Sequence, residues 1–328
     1  MRRLDLVLAA ALLAAPSSAA TAAEVPFTPR QANGAVLEES GSWRDGRSAL
    51  MLKVQVLLDR AGVSPGVVDG YLGENVRKAL AAYEEINGFA PDGELDPEVF
   101  SALTQGDTAP VLEVYAITED DVDGPFVETI PDDYAALAEM DRIPYRGPQE
   151  MLAERFHMDE GLLAALNPDA DFTRAGTEIV VARPGEPIEE SAIARIEVDR
   201  SRGAVRALDA DGALLIHYPA TIGSARTPSP AGTHEITGIA IDPVYYYNPD
   251  VNFQQGGNDE QLEIPPGPNN PVGSVWIDLS EPTYGIHGTP SPAEIDKDYS
   301  HGCVRLTNWD AEELAGLVEQ GLTVAFVE

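Results

Sequence analysis

From residue 194 onward the chain is cut into short apolar runs separated by turn formers. Ala194 to Val198, Ala204 to Leu208, Leu214 to Ala220, His234 to Ala240 and Ser274 to Leu279 read as strands, and Thr323 to Val327 supplies a last one. This spacing predicts a mainly β domain over 191–328, either barrel-like or a bent sandwich. One helix belongs to it. Thr307 with Asp310 three residues later is an N-cap signature, Trp309, Leu314, Leu317 and Val318 form an apolar face, and Gly321 ends the element.

Just before that helix lies Tyr299-Ser300-His301-Gly302-Cys303-Val304-Arg305-Leu306, with Ile286-His287-Gly288-Thr289 upstream. The stretch holds the only cysteine of the chain, and the two segments hold two of its five histidines. A lone cysteine forms no intramolecular disulfide, so it serves as a small hydrophobe, a metal ligand or a nucleophile. Ser, His, Gly and Arg are poor core neighbours, which disfavours the first use. A thiol of pKa about 8.5 is activated by a nearby imidazole or by backbone N–H groups, and the N-terminus of the following helix would also favour thiolate. His287 is the candidate general base. Gly302 permits a sharp turn that aims the N–H groups of His301, Gly302 and Cys303 at an oxyanion. Arg305 can grip a carboxylate, and Ser300 hydrogen-bonds locally or meets substrate. A zinc site of His287, His301 and Cys303 with one open position is the rival reading.

His287-Gly288-Thr289, ten residues, then Ser300-His301-Gly302-Cys303-Val304-Arg305 resembles the signature of the L,D-transpeptidases, the YkuD-type cysteine enzymes of bacterial peptidoglycan. Thr227-Pro228-Ser229-Pro230-Ala231-Gly232-Thr233 and Pro265 to Gly273 extend the resemblance, and Arg305 is similar to the Gram-negative branch. The resemblance implies a thioester acyl-enzyme on Cys303, His287 oriented by a backbone carbonyl at about Gly288, and no cofactor or metal. It implies a tetrapeptide stem of peptidoglycan as donor and diaminopimelate as acceptor, giving 3-3 cross-links. Water as acceptor would make the protein an L,D-carboxypeptidase or endopeptidase, and a protein N-terminus would make it an enzyme that anchors an outer-membrane protein to the wall. A wall-binding structural protein is the non-enzymatic alternative. Tyr245, Tyr246, Tyr247 and Trp276 are candidate groove aromatics, with Tyr247 taken as a substrate contact. Asn248 to Gly273, rich in Gly and Pro, is expected to be an irregular loop or lid beside the site.

Upstream, residues 24–47 lack a sustained period and read as a linker. Within 48–105, Asp69-Gly70-x-Leu72 with Val76, Ala79 and Leu80 recurs 23 residues later as Asp92-Gly93-x-Leu95 with Val99, Ala102 and Leu103, a duplicated turn-plus-helix. This segment resembles the three-helix peptidoglycan-binding domain. Residues 111–183 read as strand, helix, helix, strand, and resemble a LysM glycan-binding module interrupted by a Pro-rich insertion from Gly124 to Pro148. His157, between the two helices, is expected at the surface or in a cap. The fold class is therefore multidomain α+β.

Met1-Arg2-Arg3, the apolar run Leu6 to Ala15 and the small residues ending at Ala23 read as a secretory signal peptide over 1–23, too short in its apolar part to span a bilayer. The implied location is the periplasm, with no membrane span. Net charge is −34, and losing Arg2, Arg3 and Asp5 with the leader takes it to −35. Such a surface repels nucleic acid and anionic lipid.

Overall fold

The computed structural model describes residues 25–38, 41–188, 192–224, 227–297 and 300–328; the leader read at 1–23 and Tyr299 lie outside them. The expected linker is not one. Phe27, Ala32 and Trp43 are buried, and α1 (Pro29–Asn33) is closed by a capping box from Thr28. Asn33 Oδ1 accepts 2.8 Å bonds from the N–H groups of both Val111 and Leu112, which ties this end of the chain to the module beyond the helices.

Three helices follow, α2 (Ala49–Arg60), α3 (Glu74–Asn87) and α4 (Pro97–Gln105), each burying its apolar stripe: Leu52, Val54 and Leu58; Val76, Ala79 and Leu80; Val99 and Leu103. The duplicated Asp-Gly pairs are turns in which Gly70 and Gly93 take φ of 79° and 72°, where a side chain would be strained. Each turn is held by a buried polar side chain of the preceding helix. Gln55 Oε1 accepts from Gly70 N at 2.7 Å, and Glu84 Oε2 accepts from Gly93 N at 2.8 Å.

Next, β1 (Leu112–Ala116) pairs antiparallel with β2 (Glu178–Ala182), Leu112 facing Ala182. Between them come α5 (Glu119–Asp123), α6 (Tyr134–Ala138), α7 (Pro148–Arg155) and α8 (Glu160–Leu166). The strand-helix-helix-strand order is present with α7 and α8 as its helices, but it is not a separate body. Leu112, Leu152, Leu162 and Ile179 share one hydrophobic core with Leu52, Leu80 and Val99 of the three helices.

The C-terminal region builds one eight-stranded sheet from β3 (Arg195–Asp199), β4 (Ala204–Leu208), β5 (Leu214–Pro219), β6 (Gly232–Ile241), β9 (Val275–Leu279), β10 (Gly285–His287), β11 (Val304–Arg305) and β12 (Thr323–Val327). Its order is β11-β10-β9-β6-β12-β3-β4-β5, antiparallel except for the β12–β3 and β10–β11 pairs. Ile196, Val198, Val205, Ile277, Val304 and Phe326 form its core, and α9 (Asn308–Leu317) covers it with Ala311 and Leu314. Thr307 caps α9, its hydroxyl accepting from Asp310 N at 3.1 Å. The segment expected to be irregular carries a hairpin strand: β8 (Leu262–Ile264) pairs with β7 (Tyr245–Tyr247). Among the described residues no helix is long and apolar enough to cross a membrane.

The halves meet around α9. Asn308 Nδ2 donates to Glu154 on α7 at 2.9 Å, and Ser64 Oγ donates to Asp310 at 3.0 Å. His157 is half-buried and fills the cap that is one of its expected places, its N–H donating to the Glu154 carbonyl at 3.0 Å after the end of α7. It sits in this junction at φ 54°, its Nδ1 2.9 Å from Asp59 and its ring stacked on Trp309 at 5.0 Å. Burial pushes the carboxyl pKa of Glu154 up to about 8 and that of Asp310 to about 7. Burial opposes the charge on His157, but the Asp59 carboxylate outweighs it and raises the imidazole pKa.

All three groups hold protons in the folded protein at pH values where the unfolded chain has lost them. Their contribution is full below the unfolded pKa values and is lost as pH rises through the folded ones. Urea denaturation should therefore give a stability that falls between about pH 5 and about pH 8. Charge repulsion on the acidic surface acts in the same sense, so Glu154→Gln, which keeps an acceptor for Asn308, is the deciding variant. Its slope should be visibly flatter than that of the wild type; an unchanged slope would remove Glu154 from the account.

Candidate active site

Strand pairing assembles the site. β10 and β11 are parallel neighbours, with Ile286 opposite Val304 and His287 opposite Arg305. Ile286 and Val304 are fully buried in the sheet core. By alternation, His287, Arg305 and Cys303, two residues before Arg305, belong to the other face. There they border one cavity of about 160 Å³ together with Ser300 and His301.

His287 is buried, and its Nδ1 lies 2.7 Å from the Gly288 carbonyl. A carbonyl only accepts, so Nδ1 carries the proton and Nε2 keeps its lone pair. Trp276, its cross-strand partner on β9, stacks on the ring at 5.4 Å. Burial, and then the charge of Arg305, press the imidazole pKa down to about 4, against the pull of the Gly288 hydrogen bond. The resting imidazole is neutral.

The thiol is neutral too. Burial raises the Cys303 pKa above the ordinary thiol value, opposed by the Gly285 N–H and by Arg305. The expectation that a helix N-terminus would favour thiolate is not met. Helix α9 begins at Asn308, its cap N–H group is taken by Thr307, and the dipole effect fades within a turn.

The loop around the sulfur is fixed by hydroxyls. Gly302 has φ 117°, and a Cβ there would sit 2.6 Å from the Tyr284 ring, so only glycine fits. Ser300 is buried, accepts from Gly302 N at 3.0 Å and donates to the Cys303 carbonyl. Its hydroxyl is spent within the loop, the local hydrogen bonding expected of it, and the alternative of a substrate contact is corrected. Gly302 N–H, expected as an oxyanion donor, is spent on the same hydroxyl. The Cys303 N–H has no hydrogen bond among the described residues and stays available as a donor. Thr227 and Ser229 clamp the loop from outside, donating to the Ser300 and Gly302 carbonyls at 2.9 and 2.6 Å. His301 presents its ring to Phe253 at 4.1 Å. Among the described residues no group of three His, Cys, Asp or Glu side chains is placed to hold a metal ion.

Arg305 makes no side-chain hydrogen bond or salt bridge among the described residues. In a chain with 55 acidic and 21 basic residues, a guanidinium with no ion-pair partner among the described residues is an open binding group. Tyr247 is corrected as well. It is buried, its hydroxyl donates to Asn258 O at 3.2 Å and accepts from Gln255 N at 3.0 Å, and it does not border the Cys303 cavity. Tyr245 and Trp276 do. Phe253 lies in the loop expected beside the site, and three lining residues escape a reading of the sequence: Tyr134, Thr283 and Tyr284. Thr283 is a β-branched residue at φ 72°, strained backbone whose carbonyl lies 3.7 Å from Cys303 Sγ. Asp133 before Tyr-Ala-Ala-Leu-Ala is a legible helix start, but nothing local says that this helix reaches the cysteine.

Residues 193–327 match the model of the L,D-transpeptidase catalytic domain, and residues 47–103 match a putative peptidoglycan binding domain. The putative L,D-transpeptidase YkuD of Bacillus licheniformis is 31% identical over 178 residues, covering 54% of this chain and 91% of that protein. Its namesake from Bacillus subtilis strain 168 is 32% identical over 176 residues, covering 53% and 89%. The chain belongs to the L,D-transpeptidase family. Within that family a probable L,D-transpeptidase YbiS of Escherichia coli K12 is 36% identical over 78 residues, 24% of this chain and 25% of that protein. A solved L,D-transpeptidase from Xylanimonas cellulosilytica aligns over 86% of this chain and 95% of its own at 15% identity, with a TM-score of 0.37, too low to carry weight.

In this L,D-transpeptidase a raised thiol pKa beside a neutral imidazole has a kinetic signature. The rate of Cys303 alkylation by iodoacetamide should climb through the alkaline range without levelling off near neutrality, since thiolate is the reactive form. A plateau already reached below about pH 7 would mean a preformed thiolate–imidazolium pair, contrary to the burial argument.

Proposed function

We propose that this protein is an L,D-transpeptidase of peptidoglycan that works through a Cys303 thioester and forms 3-3 cross-links. The observation that carries the reading is the meeting, in one cavity, of a thiol, an imidazole whose Nδ1 is held by the Gly288 carbonyl and a guanidinium with no ion pair among the described residues. Both reacting groups rest neutral, so proton transfer from Sγ to Nε2 accompanies attack on the carbonyl carbon rather than preceding it. The target is the bond after the third residue of a tetrapeptide stem. The tetrahedral oxyanion is met by the Cys303 N–H, His287 returns the proton to the leaving amine, and D-alanine departs. Arg305 is the partner for a substrate carboxylate. A diaminopimelate amine then attacks the thioester.

The upstream body of helices and paired strands is read as the part that holds the wall, and the leader at 1–23 as the signal that exports the chain to the periplasm. A protein amine as acceptor finds no favouring feature in the site.

Incubation with purified disaccharide tetrapeptides tests this. Mass spectrometry should find free D-alanine, an acylated Cys303 and dimers with 3-3 links. Cys303→Ser should lower dimer formation by about a thousandfold or more, and His287→Gln by about a hundredfold or more. Shortened monomers without dimers would make the protein a hydrolase, and no acylation at all would overturn the cysteine mechanism.

A further inference from the structure

The upstream body and the catalytic sheet are fastened along β5, the last strand of that sheet. The turn after α2 covers its open edge, His217 N donating to Gly62 O at 3.1 Å and Ser64 N to His217 O at 2.9 Å. Helix α3, inside the segment matched to a peptidoglycan binding domain, packs against the same strand, and its Glu85 pairs with the buried Arg206 of β4. Two more residues of α3, one turn apart on one face, reach the segment between the two catalytic motifs. Asn75 Nδ2 donates to Ile295 O at 3.1 Å, and Lys78 Nζ pairs with Asp296. The ion pair is enclosed, its side chains 18% and 17% exposed. The β3–β4 turn closes over it: Gly203 takes φ 58°, and a Cβ there would lie 2.3 Å from Asp296 Oδ1 and 3.0 Å from Lys78 Nζ. Asp296 itself holds φ 62°, a backbone state that its surroundings impose.

The contact does not end at Asp296. Its N–H donates to Thr221 Oγ1 at 2.7 Å. Thr221 is buried and pairs with Arg305 in both directions, Thr221 N donating to Arg305 O at 3.0 Å and Arg305 N to Thr221 O at 2.9 Å. The next residue, Ile222, accepts at its carbonyl from Ser300 N at 3.4 Å. β11 is only two residues long and lies at the end of the sheet, so β10 holds one side of it and Thr221 the other. An unbroken line of contacts, Lys78 to Asp296 to Thr221 to Arg305, leads from α3 to the backbone of the residue read as the carboxylate clamp.

We infer that Lys78, with Asn75 beside it, is a positioning residue for the transpeptidase reaction: it fixes Asp296 and, through Thr221, the aim of the Arg305 guanidinium. This rests on the reading of Arg305 and of the Cys303 thioester given above. Lys78 does not border the Cys303 cavity, so its effect is on where Arg305 stands. Without the ammonium, an enclosed carboxylate on strained backbone has no counter-charge among the described residues, and the segment relaxes by leaving Thr221. The outer edge of β11 is then unpinned. His287, held by the Gly288 carbonyl, and the thiol, held by the Ser300 hydroxyl within its loop, keep their geometry. The upstream body thus sets the aim of a binding group that belongs to the catalytic domain.

Two reactions of Cys303 in the full-length protein test this. Acylation by a disaccharide tetrapeptide, read by intact mass against donor concentration, uses Arg305; alkylation by iodoacetamide, an uncharged reagent, does not. Lys78→Met should raise the donor KM about tenfold while the limiting rate and the alkylation rate stay within about twofold of the wild type. Lys78→Arg should keep KM within about twofold of the wild type, since the charge is what holds Asp296. Thr221→Val deletes the hydroxyl that receives the Asp296 N–H and leaves the ion pair in place; it should raise KM in the same way. Lys78→Met combined with Asp296→Asn should be no worse than Lys78→Met alone, because both act on one contact. Equal losses in acylation and alkylation, or a wild-type KM in Lys78→Met, would overturn the inference and leave the thioester standing. A wild type that is alkylated but never acylated would sink the thioester reading, and this inference with it.

Discussion

The side chain of Asn308 holds the site in register. Its Oδ1 accepts from Ser274 N at 3.1 Å and Thr289 N at 3.0 Å, while Nδ2 donates to Glu154 at 2.9 Å and Pro268 O at 3.1 Å. One buried amide thus joins the first turn of α9, the strand after the lid, the loop after His287, and α7 of the upstream body. The fit leaves no room. A Cβ at Gly273 or Gly288 would lie 2.2 or 2.3 Å from Asn308 Oδ1, so both glycines are required by close approach to the same atom. An amide meets this demand where a carboxylate would not, because the position needs two accepted and two donated bonds at once. Each bond is worth about 1 kcal/mol net, but an orphaned buried partner would cost about 1–3 kcal/mol, which makes the whole set cooperative.

Burial explains the electrostatics of the centre better than charge pairing does. The same enclosure that strips water from His287 and Cys303 keeps both uncharged, lowering the imidazole and raising the thiol. A resting ion pair would be stronger as a nucleophile but exposed to oxidation and alkylation. The neutral pair leaves ionisation to the moment when substrate arrives. Arg305 adds its charge without an ion-pair partner among the described residues, unlike Arg146, Arg155 and Arg206, which are tied to carboxylates on this very acidic protein. On the side of Cys303, Arg305 is bordered by Tyr134 and Tyr245 and, among the described residues, by no carboxylate.

The sequence was readable where local chemistry decides. The strands of the sheet, the Thr307 cap and the spacing from His287 to Cys303 all express short-range rules of alternation, capping and nucleophile chemistry. The reading failed where a distant partner decides. Ser300 carries the right atoms for a substrate contact, yet Gly302 N and the Cys303 carbonyl use them. Tyr247 sits in an aromatic run beside the site, but the turn at Gln255 and Asn258 draws its hydroxyl inward. His157 is the helix cap that the sequence suggests, but its place in the junction is not legible there, because Asp59 and Trp309 converge on it from far along the chain.

The insertion shows the same limit from the other side. Its prolines mark it in the sequence only as an insertion into the strand-helix-helix-strand segment. What orders it is apolar area offered by the lid, which is itself short of strand residues and incomplete without Leu137 and Ile143. Two segments that each lack a core of their own become ordered by sharing one. Because one of them belongs to the upstream body, the boundary of the catalytic fold and the boundary of the catalytic groove do not coincide. The wall opposite Cys303 is set by a part of the chain that no catalytic motif marks.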